Sequence, residues 1–349
     1  MTISDRNVIS FKESKMVGHV PDLTRGGEFI EVPLVQRIDP IFGSRARIIE
    51  GSKLTPNRKS NIKQFLSSSG FCPFCADHVE NATFPFPSAI VRGGKIWRGS
   101  SLVVPNIVAY SSYSAVGIYD TTRHFIELDQ FDAHLISDVL ISMFEHTKLV
   151  RNFDPRAEYS SINANYLPPS GSSLTHPHVQ SSHDEVPLGK QATLSQRSTD
   201  YFVATGRRIL QDLVDAERNG PRYVGKFGEV TFVAAFAPSG FREIWGVIHD
   251  ATDITDISID SAKSLAEGLL RVFACYSDWN LSSFNFSIAG GGNHAAKNGF
   301  IPLLRVVARS NPEPYYRSDV TYFEKLYDEA MVDVSPEDTA SELRRYFIV

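Results

Sequence analysis

His176-Pro177-His178 constrains this chain more than any other stretch. In an extended strand, residues i and i+2 face the same way, with their Cα atoms roughly 6.5–7 Å apart. Two imidazoles therefore point together from one strand, and the intervening proline points away. A proline has no N–H to give a sheet ladder, so this strand is expected at an edge or beside a ligand groove. One imidazole can bind a metal while its neighbour works as a nucleophile or base. Just upstream, Gly171-Ser172-Ser173 is a small polar loop whose backbone N–H groups are of the kind that hold phosphate oxygens. Gln180 lies at a further i+2 and extends the same face.

The chain has 349 residues, enough for one large domain or two medium ones around a real core. Its net charge of −5 excludes the basic excess of a protein that binds nucleic-acid backbone. No apolar run approaches the roughly 20 residues needed to span a bilayer, and the opening MTISDRNVISFKESK has no apolar signal-peptide region. Three cysteines cannot form a disulfide framework, and two of them sit in Cys72-Pro73-Phe74-Cys75. This spacing reads as a metal knuckle in a reduced, cytoplasmic protein.

Along the chain, residues 1–20 are polar and expected to be loose. Arg37-Ile38-Asp39-Pro40-Ile41-Phe42-Gly43-Ser44-Arg45 reads as a turn between extended stretches. Residues 53–70 read as a loop. Strand-like runs lie at 100–106, 114–120 and 158–166, and a long amphipathic helix covers about 127–152. The pattern then recurs: a helix at 194–218, strands at 222–226, 229–237 and 241–249, a helix at 259–277, and strands at 283–289 and 301–309. A proline-started helix runs from Ser335-Pro336-Glu337 to near Arg345. The expected class is α+β, with two similar halves at 21–190 and 191–349, each a mainly antiparallel sheet with packed helices.

Cys72, Cys75, His124 and His176 make a candidate tetrahedral Cys2His2 zinc site. All four positions filled would make the metal structural, with none left open for water. His78, His134 and His146 are competing histidines, better read as surface or helix-face residues. His178 then stays free of metal. A neutral imidazole beside a phosphate cradle is a good nucleophile toward phosphorus, and Gln180 can hydrogen-bond a non-bridging phosphate oxygen.

These residues resemble the galactose-1-phosphate uridylyltransferase family, a branch of the histidine-triad superfamily. The resemblance runs from about Arg37 to Arg344 and is strongest over Asn165, Gly171, Ser173, His176, Pro177, His178 and Gln180. Arg37-x-Asp39-Pro40-x-x-Gly43, the Cys72/Cys75 knuckle, Val104-Pro105-Asn106, Phe236-Ala237-Pro238 through Glu243-Ile244-Trp245, and Ser335-Pro336-Glu337 through Leu343-Arg344 also match its pattern. The resemblance implies that His178 is a nucleophile forming a nucleotidyl-imidazole intermediate, with His176 as the last zinc ligand. It implies that Gln180, Ser173 and Gly171 hold phosphates, with Ser172 beside them, that Asn106 and Asn165 contact the nucleotide, and that Arg45 joins the substrate-contacting set. The implied partners are a nucleotide sugar or other nucleoside diphosphate or triphosphate donor and a phosphorylated acceptor, and the implied assembly is a homodimer.

The chain departs from the family in its second half. Classical members carry a His-x-His there for a further metal. The run taken as equivalent here, Phe284-Asn285-Phe286-Ser287-Ile288-Ala289-Gly290-Gly291-Gly292-Asn293, has none. The glycine run reads as a flexible loop in preference to a rebuilt acceptor site. Lys325 to Met331 lacks the polar residues expected for galactose. Three readings follow: a nucleotidyltransferase, a nucleotide-sugar or dinucleotide phosphorylase or hydrolase using the same histidine, and a zinc-stabilised nucleotide-binding protein without turnover.

Overall fold

The computed structural model describes residues 9–56, 58, 61, 62, 70–313 and 316–348. The N-terminal stretch expected to be loose is, over residues 12–20, part of strand β1 (Lys12–Asp22). It pairs along its length with β2 (Glu28–Ile38). Nearly every β1 residue is exposed, so no buried face imprints a period-two apolar signal. Residues 1–8 lie outside the described residues, as does much of the expected loop at 53–70. The turn read from Arg37 to Arg45 does join two extended stretches, β2 and β3 (Arg45–Ile48).

The main body is one ten-stranded sheet. Its first-half strands are β4 (Ile96–Arg98), β5 (Ser101–Pro105), β6 (Tyr113–Ile118), β7 (Tyr159–Tyr166) and β8 (His178–Asp184). Those of the second half are β9 (Tyr223–Phe227), β10 (Val230–Ala234), β11 (Phe241–Ile248), β12 (Phe284–Ala289) and β13 (Leu303–Ala308). The order is β4-β5-β6-β8-β7-β12-β13-β11-β10-β9, antiparallel throughout. A strand β14 (Glu329–Val332) runs parallel to β3 and completes a small second sheet, β1-β2-β3-β14. The α+β class holds, but the two halves share a single sheet, joined at β7 and β12.

The order reads the same from either end. A cross-strand row runs Val104, Val116, Gln180, Asn163, Ser287, Arg305, Trp245, Val233. The pseudo-twofold that exchanges the halves therefore passes between Asn163 and Ser287. Under it, Gln180 corresponds to Arg305, and His176-Pro177-His178 corresponds to Ile301-Pro302-Leu303.

Seven helices lie among the described residues: α1 (Ala76–Ala82), α2 (Ala133–Phe153), α3 (Gly189–Thr205), α4 (Ile209–Glu217), α5 (Ile259–Asp278), α6 (Tyr322–Tyr327) and α7 (Pro336–Phe347). None is long and apolar enough to cross a membrane. Helix α2 starts at Asp132, whose carboxylate accepts from the Leu135 N–H at 2.8 Å, and α5 starts at Ser258 in the same way. The single helix expected over 194–218 is two, because Gly206 (φ 69°) closes α3 in the left-handed conformation that glycine adopts freely.

One sheet face is apolar and packs under α2 and α5: Ile162, Ala164, Val179, Phe284, Phe286 and Ile288 meet Val139, Met143, Leu269 and Phe273. Contact is close enough at Gly268 that an added Cβ would lie 1.9 Å from the Phe232 ring. The opposite face is covered at both ends only. Phe74 of the knuckle sits on Leu102, Val104, Val116 and Ile118, while α3 and α4 lay Leu194, Leu210 and Leu213 over Val233, Trp245 and Val247. The middle of that face is left for the site.

Two histidines are buried in the first-half core. His146 packs on Phe86 at 4.7 Å between ring centroids and on His183 at 5.2 Å. His183 meets the hydroxyls of Ser160 and Ser181. Burial pulls His146 down to about 4, and burial followed by His146 and Arg151 pulls His183 well below its ordinary value. The folded state thus resists protons that the unfolded chain takes up below about pH 6.5. Stability is full above that pH and falls as pH drops toward 4. For His146 alone the loss between pH 7 and 5 is about 2 kcal/mol. Thermal melts should show His146→Leu with a shallower fall in Tm over this range than wild type. Parallel pH profiles would contradict the assignment.

Candidate active site and metal centre

The knuckle is built by a backbone turn, with the Cys75 N–H donating to the Cys72 carbonyl and α1 starting directly after it. The Ala76 N–H donates to the Thr121 carbonyl at 2.7 Å, which ties the knuckle to the loop after β6. That loop is folded by Asp120, whose carboxylate accepts from the Thr122 N–H and hydroxyl and from Arg123 Nε at 2.7–2.8 Å. It delivers His124 to the cysteines.

Cys72, Cys75, His124 and His176 come together with all four ligand atoms within 4.8 Å of one another. Cys72 Sγ lies 3.5 Å from His176 Nδ1, and Cys75 Sγ lies 3.3 Å from His124 Nδ1 and 3.6 Å from His176 Nδ1. These residues could hold a metal ion. The second nitrogens are fixed from outside: His176 Nε2 donates to the Asp120 carbonyl at 2.8 Å, and His124 Nε2 meets the Thr175 hydroxyl at 3.2 Å. An Nε2–H on His176 leaves the Nδ1 lone pair facing the sulfurs, the arrangement of a ligating histidine. Burial, reinforced by the neighbouring imidazoles, takes His176 down to about 4, so it is neutral. Burial and then Cys72 push the Cys75 thiol up to about 11. A bound dication would reverse that, since coordinating thiols are deprotonated. Among the competing histidines, His78 packs at a tilt against Phe71 with ring centroids 4.7 Å apart, His134 is exposed and His146 is in the core, and none joins the cluster.

His178 opens β8 two residues on. Its Nδ1 lies 2.8 Å from the His176 carbonyl and donates to it, so Nε2 carries the lone pair. Burial lowers its pKa and keeps the ring neutral. Phe74 sets its ring against both imidazoles, 5.4 Å from His178 and 6.0 Å from His176, and so packs in the core rather than standing free. Pro177 keeps its place beside β6 by accepting from the Tyr119 N–H. The strand is interior to the sheet, between β6 and β7, and the proline lies just before the ladder begins.

Gln180 shares the His178 face, and its amide has no hydrogen-bond partner among the described residues. Across from it stands Asn163, and one step beyond the last ladder pair His178 stands across from Asn165. Asn165 Oδ1 accepts from Asn285 Nδ2 at 2.6 Å. Asn106 directly follows β5, with its side chain bonded to the Val108 N–H and the Tyr110 hydroxyl.

The expected phosphate cradle is smaller than the sequence suggests. The Gly171 N–H donates to the Pro168 carbonyl and the Ser172 N–H to the Leu167 carbonyl, while the Ser172 hydroxyl turns to the Leu174 carbonyl. Ser173 is exposed, and neither its N–H nor its hydroxyl has a partner among the described residues. The cause is a tight turn in which Leu167 (φ 70°) and Gly171 (φ 94°) both adopt positive φ. Arg45 is also displaced from expectation: it opens β3 in the small sheet, exposed, and does not line the cavity described next.

That cavity, about 450 Å³, lies on the uncovered middle of the sheet. Its floor is Asn163, Asn165, Asn285 and Ser287, and its far wall is Phe42, Lys190, Glu243 and Arg305. The two strand pairs carry polar residues at every second position, Asn163/Asn165 and Asn285/Ser287, a signal present in the sequence but read there only in part. Asp39 of the Arg37 to Gly43 signature accepts from the Ile41 and Phe42 N–H groups and so sets Phe42 on the cavity. Burial holds Asp39 up at about 6. Arg37 instead reaches Glu337 and the Phe236 carbonyl, joining three matched motifs in a structural latch. The glycine run expected to be a flexible loop is a buried turn: Asp253 accepts from the Gly291 and Gly292 N–H groups, and Gln191 donates to the Gly290 carbonyl at 2.7 Å.

No family model matches the chain. An uncharacterized protein of Archaeoglobus fulgidus is 31% identical over 325 residues, covering 91% of this chain and 94% of that protein. Among solved structures, an ADP-glucose phosphorylase from Arabidopsis thaliana with bound ADP-glucose covers 88% of this chain and 98% of its own, at 20% identity and TM-score 0.68. A galt-like protein of Arabidopsis thaliana gives the same coverage and identity with TM-score 0.66. A uridylyltransferase gives 18% identity, 89% and 98% coverage, and TM-score 0.62. At these identities the likeness is one of fold.

The cluster predicts one bound metal ion per folded chain by native mass spectrometry. Cys72→Ser should lose the ion and melt at lower temperature. A wild-type chain that binds no metal, or a Cys72→Ser chain that keeps it, would contradict the site. The chain belongs to one family with the Archaeoglobus fulgidus protein, and its resemblance to the galactose-1-phosphate uridylyltransferases stands at the level of the fold.

Proposed function

We propose that this protein is a nucleotidyltransferase that moves a nucleoside monophosphate from a nucleotide sugar, or a similar donor, to a phosphorylated acceptor through His178. The observation that carries this is the tautomer of His178. Its Nδ1–H is spent on the His176 carbonyl, leaving a neutral, buried Nε2 lone pair beside the unpartnered amide of Gln180.

In the first half-reaction Nε2 attacks the α-phosphorus. The N–P bond forms, the P–O bond to the leaving phosphate breaks, and that oxygen keeps the electron pair. The Nδ1 proton stays on the ring and strengthens its bond to the His176 carbonyl as the imidazole gains positive charge. Gln180 donates to a non-bridging oxygen and stabilises the charge that builds there. In the second half-reaction an oxygen of the acceptor phosphate attacks phosphorus, and the N–P electrons return to Nε2. Asn106 and Asn165 would contact the nucleotide and Ser173 a phosphate oxygen.

The metal is proposed to be zinc. Zinc bonds of about 2.3 Å to sulfur and about 2.05 Å to nitrogen at the tetrahedral angle put ligand S and N about 3.6 Å apart. The observed separations are 3.3–3.6 Å. Four protein ligands leave no open position, so the ion would hold the knuckle and the His178 strand together and take no part in the transfer. A second reading keeps the intermediate and resolves it with inorganic phosphate. It is favoured only by the fold shared with the ADP-glucose phosphorylase.

Isotope exchange between a labelled sugar phosphate and its UDP-, ADP- or GDP-linked form, with no other substrate present, tests the covalent half-reaction. His178→Gly should abolish exchange by at least about 10⁴-fold, the scale seen when a nucleophile is removed. Gln180→Ala should slow it about 10²–10³-fold, as for loss of one charge-stabilising donor. Exchange that survives in His178→Gly would sink the proposal.

A further inference from the structure

Hydrogen-bonding capacity is unevenly spread along the cavity. At the end where Asn163 and Asn165 stand across from Gln180 and His178, it is mixed. Asn163 gives its amide N–H to Ser161 and keeps a free carbonyl oxygen, Asn165 keeps its NH₂, and Ser287 has a hydroxyl. Groups that both give and take suit a neutral, hydroxylated body.

The far end differs. Glu243 is 2% exposed and both its oxygens are committed. Oε1 accepts from Arg305 Nε at 2.7 Å and from Trp245 Nε1 at 2.8 Å, and Oε2 accepts from the Ser239 N–H at 2.5 Å. Arg305 also donates through Nη2 to the Ser239 hydroxyl at 3.0 Å, which leaves Nη1 without a partner among the described residues. Its guanidinium lies 4.7 Å from the Phe42 ring, which fixes its plane. Lys190 Nζ lies 5.7 Å from the same ring, and its only carboxylate partner among the described residues, Asp328, is 64% exposed. Apart from the Ser239 hydroxyl, which already accepts from Arg305, what remains to a ligand there is donors, on two cations. A sugar edge needs acceptors as well, whereas an anion needs only donors.

Gln180 and Arg305 lie on one cross-strand row, separated by Asn163 and Ser287. Three strand spacings put them about 14 Å apart at the backbone, with side chains reaching in from both ends. His178 and Gln180 lie one strand beyond the lining residues Asn165 and Asn163, so a molecule that extends past these can place a phosphate at His178 and its opposite end at Arg305.

We infer that the acceptor carries a second anionic group, a phosphate or a carboxylate, remote from the phosphate that reacts, and that Arg305 and Lys190 bind it. This rests on the transfer reading above and adds the acceptor's chemical class. The attacking oxygen remains that of the first phosphate, and the second anion forms and breaks no bond.

Calorimetric titration of the full chain with glucose 1-phosphate, glucose 1,6-bisphosphate, glucuronic acid 1-phosphate and inorganic phosphate tests this. At least one doubly anionic compound should bind ten-fold or more tighter than glucose 1-phosphate, and the two arms distinguish a phosphate from a carboxylate. Lys190→Gln, a partly exposed position, should cut that advantage three-fold or more. The pair Arg305→Gln with Glu243→Gln removes both buried charges together and should abolish it. Equal binding of singly and doubly anionic probes, or an advantage that survives these variants, overturns the inference. Adduct formation on His178 reads the chemistry separately. An adduct without the preference sinks this inference alone, and the absence of both sinks the two together.

Discussion

One hydrogen bond, from His178 Nδ1 to the His176 carbonyl at 2.8 Å, sets the chemistry that the rest of the structure supports. It selects the tautomer and aims the free nitrogen. The acceptor is the backbone of a candidate metal ligand, and that ligand's own ring is held by the Asp120 carbonyl at 2.8 Å. The candidate metal ligand, the proline and the proposed nucleophile thus sit on three consecutive residues of one segment. The proline fits because the ladder starts only after it. Phe74 packs its ring against both imidazoles, and burial keeps the His178 ring neutral. A buried, uncharged imidazole with one nitrogen occupied is a better-defined nucleophile than an exposed one, because no second tautomer or protonated form competes at neutral pH.

Under the sheet's pseudo-twofold, one half carries this device and the other does not. The register equivalents of His176, His178 and Gln180 are Ile301, Leu303 and Arg305. Pro302 matches Pro177, so the backbone course is retained while the side chains change role. Ile301 and Leu303 belong to the apolar cluster under α3 and α4. Arg305, locked by Glu243, faces the shared cavity. The covered ends and open middle of the sheet follow from the same division: the knuckle caps one end, a helix pair caps the other, and the polar residues at the centre face the cavity, with the start of α3 at its edge.

Much of this was legible in the sequence. Two imidazoles at i and i+2 around a proline, and a Cys-x-x-Cys knuckle, are short-range patterns whose geometry the chain can hardly avoid. The long helices over Ala133–Phe153 and Ile259–Asp278 and the strands of both halves carried clear periodicity. The misses share a physical cause, since each depends on partners distant in sequence. The β1–β2 hairpin buries too little to leave a pattern. Gly171 and Ser172 looked like phosphate donors until the turn at Leu167 claimed their N–H groups. The glycine run looked flexible until Asp253 was found holding it. Arg305 and Glu243 lie 62 residues apart in sequence, and only strand register brings them to the cavity floored by Asn163 and Asn165, the residues across from Gln180 and His178.

The central claim is that His178 becomes covalently nucleotidylated. Intact-protein mass spectrometry after mixing the protein with UDP-, ADP- and GDP-linked sugars, with no acceptor present, tests it most directly. The account predicts an acid-labile gain of one nucleoside monophosphate, mapped to the peptide containing His178, and the donor that gives it identifies the base. An adduct on another residue, or turnover of a donor with no adduct at any time, would contradict it.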